Sequence, residues 1–324
     1  MISKKPKLAG KNILQNYSVT ILGYGSQGSA QAQNLRDSGI AVMIGLPAKS
    51  KSRVRAKRDG FAVCSPPDAV KMSQVISVLI PDHIHGDLFK SIARSENYRG
   101  KSFIFAHGLS IAFNLVKLPR NCDIIMIAPH TPGMELRQRY IQNQPLTGFM
   151  AVKQNYTGQA DKIGRAYAKA IGISSKGIFK SDFRTEAIGD IFGEQAVLCG
   201  GLSGLIDSGF ITLVNNGHTA ESAYLECVHQ LDLIVDLVKK YGPDGMLDRI
   251  SQTAAFGALT SSPVLFDAAY RRKLQALYKN IENGNFIKKL LANKSNLEKI
   301  IRNKKGGRRK SILQAAHDKL LAKL

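Results

Sequence analysis

Val19-Thr20-Ile21-Leu22-Gly23-Tyr24-Gly25-Ser26-Gln27-Gly28 is the stretch on which the reading of the fold turns. Four mostly apolar residues form a short strand pattern and run straight into G-x-G-x-x-G. Ser29 to Arg36 then reads as a helix, Gly39 ends it, and Ile40 to Ile44 is the next strand. Strand, glycine turn, helix and strand in this order form a unit suited to binding a dinucleotide. The glycines allow a tight turn and close approach to a pyrophosphate, and the helix N-terminus offers N–H donors and a positive dipole end. Gly23, Tyr24, Gly25, Ser26, Gln27 and Gly28 are therefore candidate cofactor-binding residues.

The pattern repeats downstream. Val75 to Ile80 reads as a third strand ending in Pro81-Asp82-His83, Ser102 to Ala106 as a fourth ending in His107-Gly108, and Asp123 to Ala128 as a fifth ending in Pro129-His130-Thr131-Pro132-Gly133. Gly148 to Val152 looks like another. A doubly wound parallel sheet binds ligands beyond the carboxyl ends of its strands. This makes Asp82 and Gly133 candidate cofactor contacts, and places His107 and His130 where an imidazole can transfer protons or orient a substrate. His83 and His85 read as surface loop residues. An NAD site would place an acid near the end of the second strand. Here Gly45-Leu46-Pro47-Ala48-Lys49-Ser50-Lys51-Ser52-Arg53 follows, with no acid before Asp59. Cations and hydroxyls suit a 2′-phosphate, so NADPH is the expected cofactor.

From about Arg184 the pattern changes to long helices. Gly189-Asp190-Ile191-Phe192-Gly193-Glu194-Gln195 sets two carboxylates four residues apart, on one helix face. Such acids repel unless a cation lies between them, and a hard ion such as Mg²⁺ takes oxygen ligands. Ala220 to Lys240 is strongly periodic and carries Glu226, expected as a buried acid that wants a cation or a donor. Arg249 to Gly257 reads as a polar break between helices. Its Ser251 is either a substrate contact or a helix cap. The tail from Phe286 onward is amphipathic and basic.

The chain has 324 residues, 44% of them hydrophobic, enough for two domains. We expect residues 1–182 to form a nucleotide-binding α/β domain and 183–324 an all-helical one. Cys64, Cys122, Cys199 and Cys227 show no CxxC or zinc spacing and read as reduced thiols. No apolar run reads as long enough to cross a membrane, and the start MISKKPKLAGK lacks a signal peptide's apolar core. A soluble, cytoplasmic protein is expected. The formal net charge of +22 is spread along most of the chain, densest over Lys304 to Lys310, without a nucleic-acid-binding motif. We read it as a solvated basic surface that can attract anionic ligands, and expect neither nucleic acid nor membrane as a partner.

GYGSQGSAQAQNLRDSG, IPDH, FAHG, IAP-x-x-PG, DIFGEQAVLCGG and LECVHQLDLIVDL together resemble ketol-acid reductoisomerase, in its short bacterial form, over nearly the whole chain. The resemblance implies an N-terminal Rossmann domain, a knotted helical C-terminal domain, and a dimer or larger homo-oligomer in which helical domains pair to complete each site. It implies Mg²⁺-assisted alkyl migration in 2-acetolactate, then reduction of the resulting 2-keto acid by NADPH, a step of branched-chain amino-acid synthesis. By resemblance, Asp190 bridges two ions, Glu194 binds one, and Glu226 comes from the partner chain. His107 matches the active-site histidine, Ser251 the substrate-contacting serine, and Ser50 and Ser52 the cofactor-phosphate loop.

The chain departs from the family pattern at four places. Gln230 stands where a second metal-binding Glu is usual, His130 where a lysine is usual, Ala255 where an acid is usual, and Pro47 where an arginine is frequent. Gln is a neutral and weaker ligand. Two further readings follow: a divergent paralogue that reduces another 2-keto acid without isomerising it, and a non-catalytic scaffold that keeps the cofactor site.

Overall fold

The computed structural model describes residues 12–92, 98–309 and 311–322, with the side chains of residues 307–309 excepted. The segment MISKKPKLAGK and Lys310 lie outside the described residues. The chain divides into two compact units, Met1–Gly189 and Asp190–Leu324.

The first unit holds eight strands: β1 Val19–Leu22, β2 Val42–Gly45, β3 Ala62–Cys64, β4 Val75–Val78, β5 Ser102–Phe105, β6 Asp123–Pro129, β7 Gly148–Gln154 and β8 Ile178–Lys180. They form one sheet in the order β3-β2-β1-β4-β5-β6-β7-β8. Its helices are α1 Ser26–Asp37, α2 Ser52–Arg58, α3 Pro66–Met72, α4 His85–Ile92, α5 Leu109–Ala112, α6 Gly133–Ile141 and α7 Ala160–Ala170. The expected α/β doubly wound architecture is present, with two differences. Strands β3 and β8 are additions, three residues each and partly exposed, too short to show a pattern in sequence. Strand β7 runs antiparallel to β6, with Ile127 opposite Met150. Central strands β1, β4 and β5 are buried along their whole length, so both faces are covered by helices.

Glycines decide where the helices can begin. Gly23 has φ +107°, and a Cβ there would lie 2.5 Å from the Leu79 carbonyl oxygen. A Cβ on Gly28 would lie 2.6 Å from the Gly23 carbonyl oxygen, and one on Gly133 would lie 2.3 Å from the Ser26 backbone. The first turns of α1 and α6 therefore pack backbone to backbone beside the β1–α1 turn. Gln27 Nε2 donates to the Thr131 carbonyl at 2.8 Å, and Arg137 pairs with Asp37 at 2.6 Å, so the two helices are tied along their length.

The second unit begins inside α8 Phe183–Gly193 and continues through α9 Gly200–Asn215, α10 Ala220–Tyr224, α11 Leu231–Leu247, α12 Gln252–Leu265, α13 Ala268–Glu282, α14 Asn285–Ala292, α15 Leu297–Arg309 and α16 Ile312–Leu321. Its core is small: Phe210, Ala223 and Ala316 gather Leu213, Tyr224 and Leu313 around them. Much apolar surface is left out. Val264 is 75% exposed, Phe256 72% and Leu198 68%. Helix α12, apolar on all sides, has no buried residue.

Four sequence readings are corrected in this unit. The run from Phe183 to Asn215 is a continuous helical segment of 33 residues with mean hydropathy 1.7, long and apolar enough to cross a membrane, contrary to expectation. Glu186, Asp190 and Glu194 recur every fourth residue, so they interrupt the run in sequence yet share one stripe of the helix, and only Asp207 follows them. Ala220 to Lys240 is not one regular helix: a π-helical segment Leu225–His229 interrupts it. Glu226 is exposed rather than buried. The polar break around Ser251 is shorter than expected, because α12 already starts at Gln252.

Gly133→Ala should lower the urea unfolding midpoint, costing about 2 kcal/mol or more through forced backbone separation. Gly25→Ala should leave the midpoint unchanged, since a Cβ at Gly25 meets nothing within 4 Å. Equal midpoints for the two variants would contradict the close approach of α1 and α6.

Candidate active site

The glycine turn presents its backbone, not its side chains. Gly25 caps α1 and is exposed with Ser26, while Tyr24 is buried with its hydroxyl donating to Asp59 at 2.8 Å. Burial and the Asp59 carboxylate push the Tyr24 phenol above its ordinary range. Gln27 is occupied by the Thr131 carbonyl and by an N–H from Gln31 at 3.0 Å, so it acts as a strut. The space over Gly25 and the first N–H groups of α1 form the cradle that a pyrophosphate requires. Beside it, Ser50 Oγ accepts the Ser52 N–H at 3.3 Å at the start of α2, and Asp82 stands in a short 3₁₀ turn after β4.

His107 follows β5. Its Nδ1 lies 3.0 Å from Glu186 Oε2, and the same oxygen accepts the Gly108 N–H at 2.6 Å. Glu186 is buried, with a side chain 4% exposed. A Cβ on Gly108 would lie 2.0 Å from the Phe183 carbonyl oxygen, which is why glycine follows this histidine. A carboxylate beside Nδ1 favours the tautomer that carries its proton there, which makes Nε2 the basic nitrogen of the ring. Glu186 is a candidate site residue that sequence reading missed. Its signal was there: it precedes Asp190 by four residues and Glu194 by eight, on one helical stripe.

His85 is not a surface loop residue. It is 3% exposed, accepts the Ser110 hydroxyl at 2.6 Å and bonds the Ile80 carbonyl at 2.9 Å. Burial lowers its pKa, against the opposing pull of Asp82. It braces the β4 loop carrying Asp82 to the helix that follows His107. His130 is exposed, 3.2 Å from Thr147 Oγ1 and edge-on to Phe149 at 4.4 Å.

In the second unit, Asp190 lies in α8 and Glu194 opens a π-helical turn, Glu194–Leu198. Glu226 lies in the other, Leu225–His229. Such turns widen a helix locally and occur often at functional sites. The Cys199-Gly200-Gly201 sequence accommodates the first one, since a Cβ on Gly201 would lie 2.0 Å from the Ala196 carbonyl oxygen. Asp190, Glu194, Glu226 and Gln230 are all exposed, and Gln230 Nε2 lies 3.4 Å from Glu226 Oε2. Ser251 is the N-cap of α12, its Oγ accepting the Ala254 N–H at 3.1 Å, as the capping alternative expected. Among the described residues, no group of three or more His, Cys, Asp or Glu side chains is arranged to hold a metal. A cavity of about 490 Å³ opens in this unit among Asp207, Phe210, Tyr224 and His317, and none of the expected site residues lines it.

The fold and the turn define a dinucleotide-binding protein with a Rossmann domain followed by a helical one. Residues 13–177 match the family model described as acetohydroxy acid isomeroreductase, NADPH-binding domain, and residues 183–323 match that of ketol-acid reductoisomerase, C-terminal domain. A ketol-acid reductoisomerase (NADP(+)) of Petrotoga mobilis is 43% identical over 291 residues, 90% of this chain and 88% of the relative. A solved NADH-preferring ketol-acid reductoisomerase from an uncultured archean has a TM-score of 0.90 at 34% identity, covering 96% of this chain and 95% of that one. A semialdehyde dehydrogenase NAD-binding protein of Cupriavidus necator, 16% identical with a TM-score of 0.66 over 84% of this chain and 99% of its own, shares the fold. The chain belongs to the ketol-acid reductoisomerase family and is an NADP-dependent oxidoreductase.

Glu186→Gln should lower kcat by about 10- to 100-fold while leaving NADPH affinity within about twofold, because the ring of His107 loses its orienting acceptor. An unchanged kcat would show that the carboxylate serves folding alone.

Proposed function

We propose that the chain converts 2-acetolactate to 2,3-dihydroxy-isovalerate, using NADPH and Mg²⁺, in branched-chain amino-acid biosynthesis. The observation that carries this reading is a histidine braced by a buried carboxylate, in a chain whose glycine turn leaves open space at Gly25. Bound NADPH would supply the hydride, and bound Mg²⁺ the Lewis acidity that polarises the substrate oxygens.

The residues fit both groups. The open cradle at Gly25, with Ser26, Ser50, Ser52, Asp82 and Gly133 around the strand ends, suits the dinucleotide. Asp190, Glu194 and Glu226 supply only oxygen donors, as Mg²⁺ prefers, with the Gln230 amide oxygen a weaker addition. His107 Nε2 would take and return the substrate proton. Ser251 keeps its own O–H as a donor toward a substrate carboxylate while its lone pair caps α12, and His130 would be a second polar contact.

We assign the junction of the two domains to 182/183, in keeping with the two family-model matches. The functional unit in this reading is a homodimer or larger, with Glu226 and Gln230 supplied by a second copy. The exposed apolar side chains support it: a stable fold does not leave α12, Val197, Leu198 and Leu205 uncovered. Protein covers them rather than lipid, because Asp190, Glu194 and Asp207 lie along the same helical run and charges in hydrocarbon are costly. The knotted chain path belongs to the same proposal. Four free cysteines support a reducing, cytoplasmic setting.

One observation favours a second reading, reduction without isomerisation: Gln230 turns an N–H toward Glu226 instead of a second carboxylate. NADPH oxidation with 2-acetolactate, and with 3-hydroxy-3-methyl-2-ketobutyrate, across a Mg²⁺ titration separates the two. We expect turnover of both compounds, the first only with Mg²⁺. Turnover of the second compound alone would establish the reductase reading, and turnover of neither would overturn both.

A further inference from the structure

We propose that Arg55 is the cation that recognises the adenosine 2′-phosphate, and therefore a residue that sets the choice between NADPH and NADH. This rests on the reading above that the glycine turn takes NADPH. The region after β2 carries several cations, and the structure separates their tasks. Arg53 turns toward the sheet: its Nη1 donates to the Leu46 carbonyl at 2.6 Å and to the Cys64 carbonyl at 3.2 Å, and its Nη2 to the Val63 carbonyl at 3.4 Å. It fastens the ends of β2 and β3 together and has little left for a ligand. Arg58 points to Asp59, with Nε 3.8 Å from the carboxylate.

Arg55 does something different. Its Nη2 donates to the Tyr24 carbonyl and, at 3.4 Å, to the Gly25 carbonyl, and its guanidinium carbon lies 5.2 Å from the centre of the Tyr24 ring. These contacts draw an exposed guanidinium from α2 against the glycine turn itself. A guanidinium has five N–H donors, and the two carbonyls engage only Nη2. The rest form a planar fork of the kind that matches phosphate oxygens. Ser52 lies three residues earlier on α2, on the same face, and its N–H is held by Ser50 Oγ. Hydroxyls and guanidinium thus converge between the end of β2 and the turn, the place a bound adenosine ribose occupies in this kind of fold. No acid follows β2 before Asp59, and the Asp59 carboxylate is engaged by Tyr24 Oη, which donates to it at 2.8 Å.

The test uses the full chain and two nucleotide fragments, adenosine 2′,5′-bisphosphate and 5′-AMP, with affinities from titration calorimetry. Arg55→Gln keeps an N–H for the Tyr24 carbonyl but loses the charge; Arg55→Lys keeps the charge but loses the fork. We expect Arg55→Gln to weaken the 2′,5′-bisphosphate by about 10- to 100-fold and to leave 5′-AMP within about twofold, with Arg55→Lys between the two. The KM ratio of NADPH to NADH should rise in parallel. Equal weakening of both fragments would assign Arg55 to holding the turn, and no weakening would leave it outside the site; either overturns the proposal. Equal binding of the two fragments by the unmodified chain would instead overturn the NADPH reading on which the proposal stands.

Discussion

The close approach of backbone to backbone beside the β1–α1 turn is the constraint that the rest of the first unit depends on. Gly23, Gly28 and Gly133 each sit where a Cβ would meet main-chain atoms within 2.6 Å. With them, α1 and α6 start side by side and the strand ends of β1, β4, β5 and β6 come level. Gln27 and Arg137 then fasten α1 to α6 through Thr131, Asn34 and Asp37. Arg55 reaches the same turn from α2. His107, the Asp82 turn and the glycine cradle stand along one edge of the sheet because of this packing, and His85 locks two of those loops to each other through Ile80 and Ser110.

The second unit follows another logic. Asp190, Glu194 and Glu226 are exposed, the two π-helical turns carry Glu194 and Glu226, and many large apolar side chains are exposed. A cluster of carboxylates is costly to bring together without a cation, and an apolar helix is costly to leave in water. Pairing with a second copy would relieve both at once, covering α12 and bringing oxygen ligands from two chains to one ion. Stability and catalysis then have a common origin in this half of the molecule, whereas in the first unit the site is built on a core that is complete in itself.

What the sequence made legible were features with local causes. The glycine turn, the strands β1, β5 and β6, and His107 at a strand end all follow from short-range pattern. The direction of β7 was not legible, because alternation looks the same in parallel and antiparallel pairing. His85 was misread because Pro81-Asp82-His83-Ile84-His85 looks like a polar loop. Its spacing to Phe89 and Ile92 places all three on the buried face of α4. Glu186 escaped notice because its partners, His107 and Gly108, are distant in sequence. Glu226 was expected to be buried because its neighbours are apolar, yet Leu225 is itself exposed and Cys227 and Val228 are only half-buried in the single chain.

The central claim, that sites in the helical half are completed between two copies, is tested most directly by a hybrid of two inactive chains. Asp190→Asn and Glu226→Gln variants are co-expressed with different affinity tags and purified through both, which isolates a mixed dimer where the chains pair. If Glu226 serves the site of the other copy, one of the two sites in the hybrid is intact, and about half of the wild-type activity per dimer returns. If each chain builds its own site, both sites in the hybrid carry a lesion and activity stays at the level of the single variants, which would contradict the account.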